Sequence, residues 1–264
     1  MRRLYVLLSG ALLLSSCNIF EIHPYSGDIT GKRNINVSNI ARIEAATQGK
    51  DTLRYAFVSD SQRWYDEMED CVQDINARGD IDFVIHGGDL TDFGLTKEFL
   101  WQRDILEEFK MPYVVVIGNH DCLANGEDLF AQIFGPLNFS FIAGKTKFLC
   151  LNTNALEADY SRPIPDFEFI RSEREKGDYN RTVVSMHAKP TSEQFNNNVK
   201  DIFHREISAY AGFQYVNYGH QHQYYAQNLF GDGKMYYGVP NVGKRQYFVF
   251  TLSPSGYEYE LVSF

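Results

Sequence analysis

Five short polar segments, each closing an apolar run, carry residue types that hold divalent cations. In chain order they are Asp60-Ser61-Gln62, Gly88-Asp89-Leu90-Thr91-Asp92, Gly118-Asn119-His120-Asp121, His187 before Ala188-Lys189-Pro190, and Gly219-His220-Gln221-His222. A carboxylate bridging two cations, flanked by other oxygen and nitrogen ligands, is suited to activating a water and neutralising charge on a transferring phosphoryl group. Asp89 is the candidate bridge. Asn119 offers a neutral oxygen, His187, His220 and His222 offer imidazoles, and Asp60 offers a second carboxylate. This mixed set suits Mn²⁺, Fe or Zn²⁺ better than Ca²⁺ and does not choose among the three. Singly the segments mean little, because Gly-Asp pairs are common turns and His-x-His often marks an exposed strand face. Their joint order at the ends of apolar runs carries the metal-site reading.

The elements that must position these groups follow from the runs themselves. Tyr55–Val58, Phe83–Ile85, Tyr113–Ile117, Thr182–Met186 and Tyr215–Tyr218 read as buried strands. Helical candidates lie between and after them at Tyr65–Ala77, Lys97–Phe109, Gly126–Phe134, Pro165–Lys176 and Ser192–Tyr210. Strand alternating with helix is the sign of an α/β architecture, a central sheet covered by helices. The ending differs. Tyr224–Leu229, Lys234–Tyr237, Gln246–Leu252 and Tyr257–Val262 are short, aromatic and separated by Gly, Pro and Asn turns, which predicts hairpins forming a second, mostly antiparallel sheet.

The ordered segments resemble the calcineurin-like metallophosphoesterase superfamily, whose pattern runs Asp-x-His, Gly-Asp, Gly-Asn-His-Asp or Glu, a lone His, and Gly-His-x-His. The likeness covers about residues 54 to 222, and the terminal hairpins suit that family's second sheet. It implies a four-layer α-β-β-α sandwich of two mixed sheets with flanking helices and the metal site at the C-terminal ends of strands. It implies a hydrolase of phosphate mono- or diesters that uses a dinuclear metal centre and a metal-activated water. By position, the first metal would take Asp60, Asp89 and His222, with Gln62 where the family has histidine. The second would take Asp89, Asn119, His187 and His220. His120 would protonate the leaving oxygen, and Asp92 would be the acidic partner that orients it.

Gln62 is the departure that matters. An amide oxygen is a weaker and harder ligand than imidazole, so the first site should bind less tightly and tolerate Mn²⁺ or Mg²⁺ better. The alternative is a noncatalytic envelope binding protein on the same scaffold with a degraded first site. Asp121 is expected to brace its loop through backbone hydrogen bonds, and His86 to be a satisfied core or supporting histidine. Arg63, Trp64 and Tyr65 could line a pocket, with Asn196, Asn197, Asn198, Tyr224 and Tyr225 as weaker candidates for substrate contacts.

The chain has 264 residues, with 25 basic and 34 acidic side chains and a formal charge of −9, which argues against broad nucleic-acid binding. Small phosphoester substrates are the expected partners. Arg2 and Arg3 precede the apolar stretch Leu4 to Leu14, followed by Ser15-Ser16-Cys17, and this resembles a bacterial lipoprotein signal. The expected organisation is a signal peptide over 1–16, a tether and N-terminal extension over 17–50, and a catalytic domain over 51–264. The extension should hold a short strand and a short helix near Ser38–Thr47. Cys17 would carry the lipid anchor, holding the protein to a membrane of the bacterial envelope and facing periplasm or cell exterior. Cys71, Cys122 and Cys150 remain, an odd set at irregular spacing that predicts buried thiols and no disulfide framework.

Overall fold

The computed structural model describes residues 28–158 and 162–264. The expected signal segment 1–16 and Cys17 lie outside the described residues. From Leu53 onward the apolar runs become strands because their side chains alternate between two apolar environments, as the pleat requires. In β1 (Leu53–Val58), Tyr55 and Phe57 enter one core and Ala56 and Val58 another. β2 (Phe83–His86) and β3 (Tyr113–Val115) run parallel to β1, with Val58 opposite His86 and His86 opposite Val115. α2 (Tyr65–Arg78), α3 (Thr96–Leu106) and α4 (Gly126–Ile133) cover their outer face through Met68, Val72, Phe99, Phe130 and Ile133.

A second sheet is built from β4 (Phe139–Ala143), β5 (Thr146–Leu151), β6 (Arg181–Met186), β7 (Phe213–Tyr218), β8 (Tyr225–Gln227) and β9 (Met235–Gly238), in the order β4-β5-β6-β7-β9-β8. The first sheet runs β11-β10-β1-β2-β3, with β10 (Gln246–Ser253) and β11 (Gly256–Ser263) antiparallel at its far edge. α5 (Phe167–Arg174) and α6 (Lys200–Ser208) close the outer face of the second sheet through Ile170, Phe203 and Ile207. Between the sheets lies an aromatic core in which Tyr55, Phe83, Phe141, Phe148, Tyr215, Phe248 and Phe250 meet. Tyr55 stacks on Phe83 at 5.2 Å and meets Phe148 edge-on at 5.2 Å, arrangements that suit the ring quadrupole. The result is the expected α/β sandwich of two mixed sheets flanked by helices.

Three expectations are corrected. The terminal hairpins form no sheet of their own: β10 pairs with β1, and β9 joins β7 in parallel. Each aromatic strand satisfies its backbone on the open edge of an existing sheet, while β4 and β5 supply the second sheet's other side. The helix expected over Ser192–Tyr210 is confined to residues 200–208, behind a 3₁₀ turn at Asn197–Val199. Pro190 lacks an N–H, and Thr191 sits at φ 77°, so residues 187–196 leave the strand as an irregular loop. Among the described residues of the extension, helix α1 (Ile35–Thr47) forms where a helix was expected, but no strand precedes it.

Helix α1 lies within the expected extension and is joined to the body by two asparagines. Asn36 donates to the Val115 carbonyl at 2.8 Å and accepts from the Val115 N–H at 2.9 Å; Asn39 donates to the Tyr113 carbonyl at 2.8 Å. These amides complete the hydrogen bonding of edge strand β3, which otherwise has only β2 beside it.

Candidate metal centre

The parallel strands of both sheets deliver their C-terminal ends to one side of the sandwich. Asp60 follows β1, Asp89 follows β2, Asn119 follows β3, His187 follows β6, and His220 and His222 follow β7. The chain must turn sharply as it leaves each sheet, and the backbone shows the cost. Asp60, Asp89, His220 and His222 all occupy the left-handed region, at φ 59°, 56°, 68° and 53°. Four non-glycine residues held there at strand ends are the kind of strain that persists where function fixes geometry. Their glycine neighbours are required by close approach. A Cβ at Gly118 would lie 2.1 Å from the Asp89 nitrogen, and one at Gly219 would lie 2.8 Å from an Asp60 carboxylate oxygen.

Two groups of ligand atoms result. Asp60, Asp89 and His222 place one atom each within 4.8 Å of one another, and so do Asp89, His187 and His220. Asp89 belongs to both. Asn119 joins the second group, its Oδ1 lying 3.1 Å from His187 Nε2 and 2.9 Å from His220 Nδ1. Asp60, Asp89 and His187 are almost completely buried. His222 Nε2 approaches Asp60 at 3.2 Å, and His187 Nε2 approaches Asp89 at 3.3 Å.

The donor set fits two divalent cations. Two buried carboxylates need compensating positive charge, and Gln62, in the same pocket, has its Oε1 buried with no hydrogen-bond partner. Its Nε2 reaches Oδ2 of Asp89, the carboxylate that both groups share, at 3.4 Å. The imidazoles are also presented correctly. His187 Nδ1 lies 2.8 Å from the Gly87 carbonyl, which can only accept, so Nδ1 carries the proton and Nε2 is directed at the cation position. Burial by itself would lower the His187 pKa, but the Asp89 charge and hydrogen bond prevail and push it up to about 9. Burial opposes ionisation of Asp89 too, and the neighbouring His187 outweighs it, holding the carboxyl below its usual range.

Supporting groups lock these loops together. Asp121 accepts from the N–H groups of Leu90, Thr91 and Gly118 at 2.9–3.0 Å, tying the loop after β3 to the loop after β2. Burial and then the Asp89 charge raise its pKa to about 7. His86 is buried, accepts from the Gly88 N–H and meets Ser61 Oγ at 2.9 Å; burial lowers its pKa to about 4, so it is a neutral brace behind the site. Cys71, Cys122 and Cys150 are free thiols, all pushed up by burial.

His120 stands beside the ligands with its main-chain N–H donating to Asp89 Oδ1 at 2.9 Å. Its Nδ1 lies 2.8 Å from the Asp92 main-chain carbonyl. The expected role of Asp92 is corrected here: the carbonyl, not the carboxylate, orients the ring. The carboxylate turns outward to the guanidinium of Arg63, whose Nε lies at 3.0 Å. Trp64 packs against the first core and against Gly243, and Tyr65 meets Trp101 edge-on at 5.8 Å between α2 and α3. Asn197 braces the loop after His187, and Tyr224 bonds Tyr259.

One residue near the centre carries no signal in the sequence. Glu193 Oε1 lies 2.8 Å from His220 Nε2. Nothing in its spacing from His187 or His220 suggests this, because an irregular loop makes the approach.

A sequence model of the calcineurin-like phosphoesterase family matches residues 53–224, and the chain belongs to that family. It is a metallophosphoesterase with a site for two divalent metal ions. No curated protein matches the chain in sequence. Solved structures share its fold at low identity. A dimetal phosphatase from Danio rerio aligns at 11% identity and a TM-score of 0.59, covering 80% of this chain and 98% of that one. GAP50, the anchor in the inner membrane complex of Plasmodium, aligns at 13% and 0.59, covering 81% and 85%. The purple acid phosphatase PPD1 from yellow lupin, Lupinus luteus, aligns at 14% and 0.58, covering 81% of this chain and 52% of that chain.

Proposed function

We propose that this protein hydrolyses small phosphate mono- or diesters and is held by a lipid on Cys17 in a bacterial envelope, facing periplasm or exterior. The observation that carries the catalytic reading is Asp89, a single buried carboxylate shared by two ligand groups. When bound, the two cations supply Lewis acidity toward the phosphoryl group and its attacking water. The chain's own groups do the rest. Asp60 and Asp89 hold charge in a buried pocket, and Asn119 and Gln62 add neutral oxygens. The Asp92 carbonyl keeps the His120 proton on Nδ1, leaving Nε2 to exchange a proton with the leaving oxygen once protonated. The acidic chain disfavours long polyanionic substrates. Manganese is the ion we expect to work best, since Gln62 hardens the first site. Among the described residues no helix is long and apolar enough to cross a membrane, so the envelope reading rests on the Cys17 segment alone.

The test uses the full chain, stripped of metal and reloaded with Mn²⁺, on aryl phosphate monoesters and diesters. Activity should return with metal and fall by about 10²–10⁴-fold in His120→Ala, the usual range for a lost proton donor. Cys17→Ser should move the protein from membrane to soluble fractions. The presence of Gln62 in place of an imidazole favours one second reading, a noncatalytic binding protein. A folded chain that takes up no second ion and cleaves neither ester would establish that reading.

A further inference from the structure

We propose that Glu193 is a positioning residue for the metal centre, orienting His220 from behind and setting the affinity of the Asp89–Asn119–His187–His220 site. This rests on the two-cation reading above. His220 Nδ1 lies 2.9 Å from Asn119 Oδ1 inside the ligand group, so that nitrogen faces the cation position. Its other nitrogen, Nε2, meets Glu193 Oε1 at 2.8 Å. A carboxylate only accepts, so Nε2 carries the proton, and Nδ1, whose neighbour Asn119 Oδ1 is also an acceptor, turns its lone pair to the cation that would lie between them. A carboxylate behind a ligating imidazole also makes that imidazole a better donor. His187 receives the same support from the Gly87 carbonyl, so both imidazoles of this group are steered, one by a buried carbonyl and one by a charge.

A glutamate whose side chain is 71% exposed would ordinarily sample several rotamers. This one is carried on a loop that is fixed on both sides. Lys189 Nζ, almost buried, donates to Thr191 Oγ1 at 2.7 Å. Asn197 accepts from the Thr191 N–H and donates to the Ser192 carbonyl, both at 2.7 Å. Gln194 donates to Glu157 at 2.9 Å on the far side. Thr191 is a β-branched residue held at φ 77°. The strained, clamped turn fixes the backbone from which Glu193 reaches the imidazole.

The experiment is Mn²⁺ titration of the metal-stripped full chain by calorimetry, with thermal unfolding of the metal-free forms alongside. Parent, Glu193→Ala, Glu193→Gln and His220→Ala are compared. In Glu193→Ala, the site that His220→Ala abolishes should weaken by about 10–100-fold while the other stays within about twofold of the parent. Glu193→Gln, whose amide oxygen still accepts from Nε2–H, should recover much of that loss, and metal-free unfolding should be unchanged. Two parent-like affinities in Glu193→Ala, or an equal loss at both sites, would overturn the assignment while leaving the two-cation reading intact. A parent that binds no second Mn²⁺ would overturn both.

Discussion

At the scale of single residues, the centre depends on which atom of each side chain is left free. Gln62 is the sharpest case: its Nε2 is engaged at Asp89 and its Oε1 is buried without a partner. An orphaned buried oxygen costs about 1–3 kcal/mol, a cost a cation beside it would remove. Replacing the amide with the stronger imidazole ligand in Gln62→His should raise Mn²⁺ affinity at the Asp60–Asp89–His222 site about tenfold, equivalent to ~1.4 kcal/mol. Calorimetric titration checks this, and an affinity no higher than the parent's would mean that Gln62 does not ligate. The Asp92 result belongs to the same scale. Its carbonyl holds His120 while its carboxylate pairs with an exposed arginine, so the side chain is more replaceable than its position in the motif implies.

Among the elements, α1 and the loop after β6 matter more than their sequences suggest. Strand β3 carries Asn119 and His120 into the site yet has a neighbouring strand on one side only. Asn36 occupies the other side, bonding both main-chain groups of Val115. Asn36→Ala should leave a buried N–H and C=O unsatisfied and destabilise the protein by about 2–4 kcal/mol, since each such group costs roughly 1–3 kcal/mol. Urea unfolding measures the loss. A change under about 0.5 kcal/mol, the ordinary range for a surface substitution, would show that α1 does not secure this edge.

For the molecule as a whole, metal binding and folding share protons. The metal-free His187 pKa lies at about 9, above its unfolded value, so its contribution to stability is full below about pH 6.5 and is lost as pH rises through 9. Asp121, raised to about 7, likewise loses its contribution as pH climbs from the ordinary carboxylate range toward neutrality. Asp89, held low, loses its contribution only in acid. A cation must displace the His187 proton, so metal affinity should rise by up to about tenfold per pH unit between 6.5 and 9, one proton being exchanged. Calorimetry with and without chelator at pH 6.5 and 8.5 should show the Tm gap between loaded and stripped protein widening with pH. A gap that narrows would contradict the His187–Asp89 coupling.

What the sequence determined by itself was the local chemistry and the alternation that organises it. Apolar runs of strand length ending in Asp, Asn or His fixed most of the ligand candidates, because parallel strands bring their C-terminal ends to one edge and the polar residue that follows each run emerges there. The tertiary structure decided what depends on partners distant in the chain. β10 and β9 joined different sheets because open edges were available for their backbones. Residues 192–196 stayed irregular because Thr191 and Asn197 close a turn that helix periodicity does not register. Glu193 reached His220 across 27 residues through that loop, and the hold on His120 passed to a main-chain carbonyl, an atom every residue has and no motif can mark. Side-chain type at a strand end is a one-dimensional signal, whereas the choice of which oxygen or edge completes a hydrogen bond is made only when the layers pack.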